Sequence, residues 1–120
     1  MRSCGTATGL VMAIVLWGCG TAAPAGSCPN DWPTSCPSPA PSYDAVVSQI
    51  FHTRCVTCHF TGSTITARAF DTYANVSLDQ QPIFYQVSQC LMPYPDGGNP
   101  LTTAERQALL GWIVCGAPNN

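Results

Sequence analysis

The sequence contains no lysine. Its cations at neutral pH are four arginines, set against six carboxylates, for a formal net charge of -2. So few basic side chains leave no electrostatic footprint for a phosphate backbone, and no nucleic-acid partner is expected. Glutamate occurs once, at Glu105, and histidine only at His52 and His59. No run of alternating apolar and polar residues reads as a series of strands, so the coarse expectation is all-α. No apolar stretch is long enough to span a bilayer comfortably; the best, "LVMAIVL", stops well short. At 120 residues the chain has room for one small domain. A core of that size usually needs disulfides, a metal or a cofactor to persist.

Cysteine is what the chain has in excess. Eight in so short a sequence point to an exported or metal-bearing protein. The N-terminus agrees with export. Arg2 precedes the apolar run, which suits the h-region of a signal peptide. "LWGC", Leu16 to Cys19, resembles the lipobox of bacterial lipoproteins. That resemblance implies a signal peptide over 1–18, cleavage before Cys19, and lipidation of Cys19. Soluble export, with cleavage near Ala23 or Ala25, is the alternative. Either route leads to an oxidising compartment, the periplasmic side of a bacterial envelope.

From Cys19 to Ser42 repeated prolines forbid a regular helix, and an extended tether is expected. Cys28 and Cys36 lie within it and are placed to close a small loop. Organised structure should span 43–120. Ser42 can cap a helix starting at Tyr43, with Asp44 at its positive end. Val46, Val47, Ile50 and Phe51 form a stripe at helical spacing, and the helix is expected to carry Cys55 and Cys58 in its last turn. "RAFDTYANV" and "DQQPIFYQVSQC" read as short helices, with Pro82 tolerated in a first turn. "LMPYPDGGNP" is too rich in breakers for a helix. A last helix opens with Thr102 and Glu105 in capping-box spacing and closes at Gly116.

"TRCVTCHFTG" sets Cys55, Cys58 and His59 within five positions. C-x-x-C-H is the attachment signature of c-type haem. Two thiols three apart can reach both vinyl groups of one porphyrin edge, and the next residue is a strong axial ligand. Two rivals stand beside it. A redox dithiol would sit at a helix start, where a thiolate is stabilised, and not after an amphipathic helix. Zinc could recruit Cys55 and Cys58 with Cys90 and Cys115, or with His59. For a second axial ligand the candidates are His52 and Met92. His52 shares a helix with the attachment site and cannot easily reach the opposite face. Met92 sits in the breaker-rich loop, and its thioether is a ligand that raises reduction potential.

With the first helix running into "CVTCH", a "CLMPY" loop and the closing "LTTAERQALLGWIVCGAPNN", the chain from about Tyr43 to Asn120 resembles a small bacterial class I cytochrome c domain. The resemblance implies short helices packed around one covalent haem, held by thioethers from Cys55 and Cys58 and ligated by His59 and Met92. It implies that Pro93 helps to set the methionine loop, and that Val47–Phe51 packs against Leu109–Ile113. Cys90 and Cys115 depart from the simplest members and read as a disulfide fastening that loop to the last helix. The implied function is electron transfer, without catalysis, between redox partner proteins, membrane-bound ones among them, by a membrane-tethered carrier or a subunit of a larger complex. A haem enzyme of peroxidase type, or a zinc-stapled structural protein, is the alternative.

Overall fold

In the computed structural model, residues 28–95 and 99–120 are described. The expected signal peptide, the lipidation site Cys19, and Ala23 and Ala25 lie outside them. Among the described residues the regular structure is helical, without strands.

The first helical segment begins as the sequence predicts. Ser42 Oγ accepts the Ala45 N–H at 3.3 Å, satisfying one of the orphan donors of a helix start. A π-helical turn, Tyr43–Val47, then runs into α1, Ser48–Arg54. After a long loop, α2 spans Tyr73–Leu78 under a Thr72 cap, and α3 spans Gln80–Ser88 with Pro82 in its first turn. Arg68 to Thr72, expected in the second helix, lie before it, with Thr72 as its cap. The last helix, α4, spans Thr103–Val114 with both halves of the Thr102–Glu105 capping box present. It stops where Gly116 adopts φ +87°. The Gly116 and Ala117 amides bond back to Ile113 and Trp112 carbonyls, a Schellman ending.

The core lies between the π turn with α1, and α3 with α4. Trp112, Phe51, Leu109, Leu110, Val47 and Val76 are its fully buried side chains, each contributing about 1.5–3 kcal/mol by leaving water. Trp112 is the centre. Its ring lies 5.6 Å from that of Tyr43, and its Nε1–H donates to Pro118 O at 2.8 Å. The first and last helices thus share one core, through Val47, Ile50 and Phe51 on one side and Leu109 to Ile113 on the other.

The proline-rich stretch is not free of this unit. Residues 28–41 lack helix, as expected, but they lie along α4 as a strap. Trp32 packs on the core and meets Phe84 edge-on at 6.3 Å. Pro33 and Pro37 cover Gly111, where a Cβ would stand 3.2 Å from Pro37 Cγ. Arg106, only 5% exposed, reaches out of α4 to bond Asp31 and the Pro29 carbonyl. The expected tether over 19–42 is therefore replaced from Cys28 onward by a docked segment.

This docking corrects the disulfide pairing. Cys28 is bonded to Cys90, with Cα atoms 5.5 Å apart, and Cys36 to Cys115, at 4.6 Å. Neither Cys90–Cys115 nor Cys28–Cys36 forms. The reason is the length of α4. Arg106 Nε donates to the Val87 carbonyl at 3.2 Å, so the end of α3 and Cys90 lie beside the first turns of α4. Cys115 is at the other end, roughly 14 Å further along the helix, whereas a disulfide needs Cα atoms within about 7 Å. The strap supplies a cysteine at each end.

Non-reducing peptide mapping should recover the Cys28–Cys90 and Cys36–Cys115 links. Chain-entropy arguments put each at about 4 kcal/mol when alone. Replacing Gly111 with leucine should lift the strap, lower the melting temperature and leave a fraction of Cys36 and Cys115 as titratable thiols. Recovery of Cys90–Cys115 peptides would contradict the docked arrangement.

Candidate functional site

The CVTCH turn grows out of α1 but does not belong to its last turn. The Cys55 and Val56 amides both use the Phe51 carbonyl, at 2.9 Å each, which breaks the helical register. A new turn then closes on Cys55, whose carbonyl accepts from Cys58 N at 3.1 Å and His59 N at 2.9 Å. The two thiols therefore follow the helix end, within one tight turn that also carries the imidazole. Cys55 and Cys58 are the free cysteines among the described residues.

The environment of Cys55 disfavours thiolate chemistry. Cys55 packs against the core, and burial pushes its thiol up to about 12. A reactive dithiol needs a depressed pKa instead. The four-cysteine zinc arrangement is excluded more directly, because Cys90 and Cys115 are each consumed by a disulfide with the strap. No group of three or more histidine, cysteine or acidic side chains is gathered for a metal ion among the described residues.

His59 is held in one orientation. Its Nδ1 lies 3.0 Å from the Arg68 carbonyl. A carbonyl only accepts, so Nδ1 carries the proton, and Nε2 of the neutral ring keeps a lone pair. Phe70 stacks on the imidazole, centroids 4.5 Å apart and planes within 15°. The loop between them closes on itself, with Phe70 N donating to His59 O at 2.8 Å. One position further, the Asp71 carboxylate accepts from Thr61 N at 3.0 Å and Thr61 Oγ1 at 3.1 Å, and Asn75 Nδ2 donates to it at 3.1 Å. The Thr61 amide above all holds the Asp71 pKa below its ordinary value. An open cleft of about 490 Å³ beside this loop is lined by Phe60, Arg68, Leu78 and Asp79 among others; Cys55, Cys58 and Met92 do not line it.

Met92 is half-buried in the loop after α3. Both ends of that loop are fastened. At its start the Leu91 and Met92 amides share the Gln86 carbonyl, at 2.8 and 3.3 Å, and Cys90 is bonded to the strap. At its end Asn99 Nδ2 donates to Thr53 O at 2.7 Å, and Arg54 donates to Asn99 Oδ1. Arg54 also pairs with Glu105 at 3.0 Å. The methionine loop thus returns to the residue that precedes Cys55. His52 is exposed on α1.

Glu105 closes the helix cap as expected but also holds Arg54, a second task invisible in the capping pattern. Burial raises its carboxyl; hydrogen bonds from Thr102 and Arg54 outweigh this and set it below the ordinary value. Asp71, Arg68, Asn99 and Arg54 were not singled out by the sequence. Their partners are nine to fifty-one positions away, and no local pattern marks them.

Because the folded Asp71 pKa lies below the unfolded one, the loop closure is complete above the ordinary carboxylate range and weakens as pH falls through the folded value. The Thr61 amide proton should report this in NMR as a titration with its midpoint below that of an ordinary aspartate. Asp71→Asn should remove that titration and broaden the His59 ring signals. An unchanged Thr61 titration in the variant would show that the carboxylate does not close the loop.

No family model, curated protein or solved structure matches this chain.

Proposed function

We propose that this protein is a monohaem c-type cytochrome that transfers single electrons at the periplasmic face of a bacterial envelope. The observation that carries this reading is the CVTCH turn. Its two thiols stand outside the disulfide pairs, and the adjacent imidazole has Nδ1 committed to the Arg68 carbonyl. A ligating histidine normally has its second nitrogen held in this way, which fixes the tautomer and directs the other lone pair to the metal. The donor set therefore fits a covalently attached haem. When bound, the haem supplies an iron that cycles between ferric and ferrous states.

The chain's own residues have separable tasks in this reading. Cys55 and Cys58 would hold the porphyrin edge as thioethers, which need no thiolate at rest and so tolerate the burial of Cys55. His59 would be the proximal ligand. Met92 would be the distal ligand, and its loop is fastened at both ends against loss of that sulfur. Each end is tied to a different part of the fold: the strap through Cys28, and α1 through Asn99. Lipidation of Cys19 would keep the carrier at a membrane, where it would exchange electrons with membrane-bound or soluble redox partners. The lysine-free surface suits partners that are basic near their docking site.

An electron carrier is favoured over a haem enzyme because the described carboxylates nearest the motif are engaged. Glu105 is bonded to Arg54 and Thr102, and Asp71 to Thr61 and Asn75.

Mass spectrometry of the acid-denatured protein, matured in a host competent for haem attachment, should show one retained haem. Cys55→Ala with Cys58→Ala should abolish it. Met92→Ala should keep the haem, eliminate the weak sulfur–iron charge-transfer band at the red end of the spectrum, and lower the reduction potential. His52→Ala should leave that band in place. A colourless wild-type product would overturn the haem assignment, and a bis-histidine spectrum lost with His52 would overturn the role of Met92.

A further inference from the structure

The disulfides shorten the leash. If the whole segment 19–42 were free, the domain would reach roughly 80 Å from an anchored Cys19 at full extension. The strap is bonded from Cys28 onward, so only residues 20–27 lie between Cys19 and the Cys28–Cys90 bridge. Bond geometry limits the reach of this segment to roughly 30 Å. A domain of this size has a radius of gyration of roughly 12 Å. Its exit point therefore stays within about one domain diameter of the anchor.

The exit point has a defined neighbourhood. Cys90 is followed by Leu91, 45% exposed, and Tyr94, 67% exposed. Both lie in the loop whose start is bonded to the leash. A tyrosine and an aliphatic side chain exposed in one loop suit the headgroup region, where one end of the ring is apolar and the phenol stays wet. The cation nearest the bridge, Arg106, is buried and bonded to Asp31, Pro29 O, Val87 O and Ser88 O. Contact there would rest on apolar and phenolic groups and not on attraction to anionic lipid.

We infer that the face around Cys28–Cys90, with Leu91 and Tyr94 at its surface, rests on the lipid leaflet that holds Cys19. The inference depends on Cys19 being acylated. The short leash then gives the carrier a preferred orientation, with the start of the methionine loop toward the membrane and the α4 end at Cys36–Cys115 away from it. The occupant of this apolar patch is the bilayer surface itself.

The test uses the full mature protein on vesicles of phosphatidylethanolamine and phosphatidylglycerol, doped with a phospholipid carrying a diazirine. Intact mass first establishes acylation, so a protein without lipid overturns the anchor reading and the inference together, and does so before any labelling. With acylated protein, light-induced adducts should concentrate on Leu91–Tyr94. Leu91→Ser with Tyr94→Ser should reduce them several-fold. Inserting about twenty glycine and serine residues between Ser27 and Cys28, which leaves the folded unit untouched, should do the same by lengthening the leash. Adducts centred instead on Val46, Ile65 or Leu78, or loop adducts indifferent to the insertion, would overturn the orientation while leaving the lipid anchor intact. Absence of adducts on acylated protein, as when a second copy or a protein partner covers the loop, would overturn it as well.

Discussion

The buried guanidinium of Arg106 is the interaction on which the arrangement depends. An arginine away from water is tolerated only when its donors are used and its charge is met. Here the end of α3 offers the Val87 and Ser88 carbonyls, which carry the negative end of that helix. The strap offers Asp31 and the Pro29 carbonyl, and Trp32 lies with its ring centroid 5.9 Å from the guanidinium carbon. One side chain thereby sets α3, α4 and the strap against one another. Asp31 is itself exposed, so its loss would leave the buried guanidinium to carbonyl oxygens at a cost below that of a fully buried ion pair. The two disulfides act on the same three elements, so covalent and polar ties reinforce a single geometry.

That geometry separates a stapled half from a hydrogen-bonded half. The strap, α3 and α4 are cross-linked and packed around Trp112. The His59–Asp71 loop has no disulfide and is closed by the Arg68 and His59 carbonyls and the Asp71 carboxylate. Those bonds orient an imidazole more than they bury apolar area. The methionine loop bridges the halves, fastened by Cys90 at one end and at the other by the bond from Asn99 to the Thr53 carbonyl of α1. A ligand pair drawn from these two loops would feel both: the proximal side through hydrogen bonds sensitive to acid, the distal side through a disulfide sensitive to reduction.

Much of the helical content was legible because it rests on local signals. The Ser42 cap, the Thr102–Glu105 capping box and the Gly116 stop all depend on residues within a few positions of one another, and the structure has them where the pattern puts them. The reach of α1 was overestimated. The Phe51 carbonyl is shared by two successive amides, and this loss of register before the motif leaves no trace in apolar spacing. Arg106 was equally hidden. On the sequence it is one of a few scattered cations; its burial follows from a strap that begins far upstream.

The sequence by itself determined the composition of the site: a C-x-x-C-H run, one methionine in a breaker-rich loop, and helices marked by their caps. These are properties of neighbours along the chain, where bond geometry limits what can meet. Only the tertiary structure decided which cysteines pair, because pairing depends on which ends of α3 and α4 coincide and on a helix too long for Cys90 to reach Cys115. It also decided that the proline-rich segment is a strap, since Pro33, Pro37 and Trp32 show their apolar surface to composition alone but find Gly111 and Phe84 only once α4 has packed. And it decided which nitrogen of His59 is free, because the Arg68 carbonyl that holds the other comes to it only through closure of the loop.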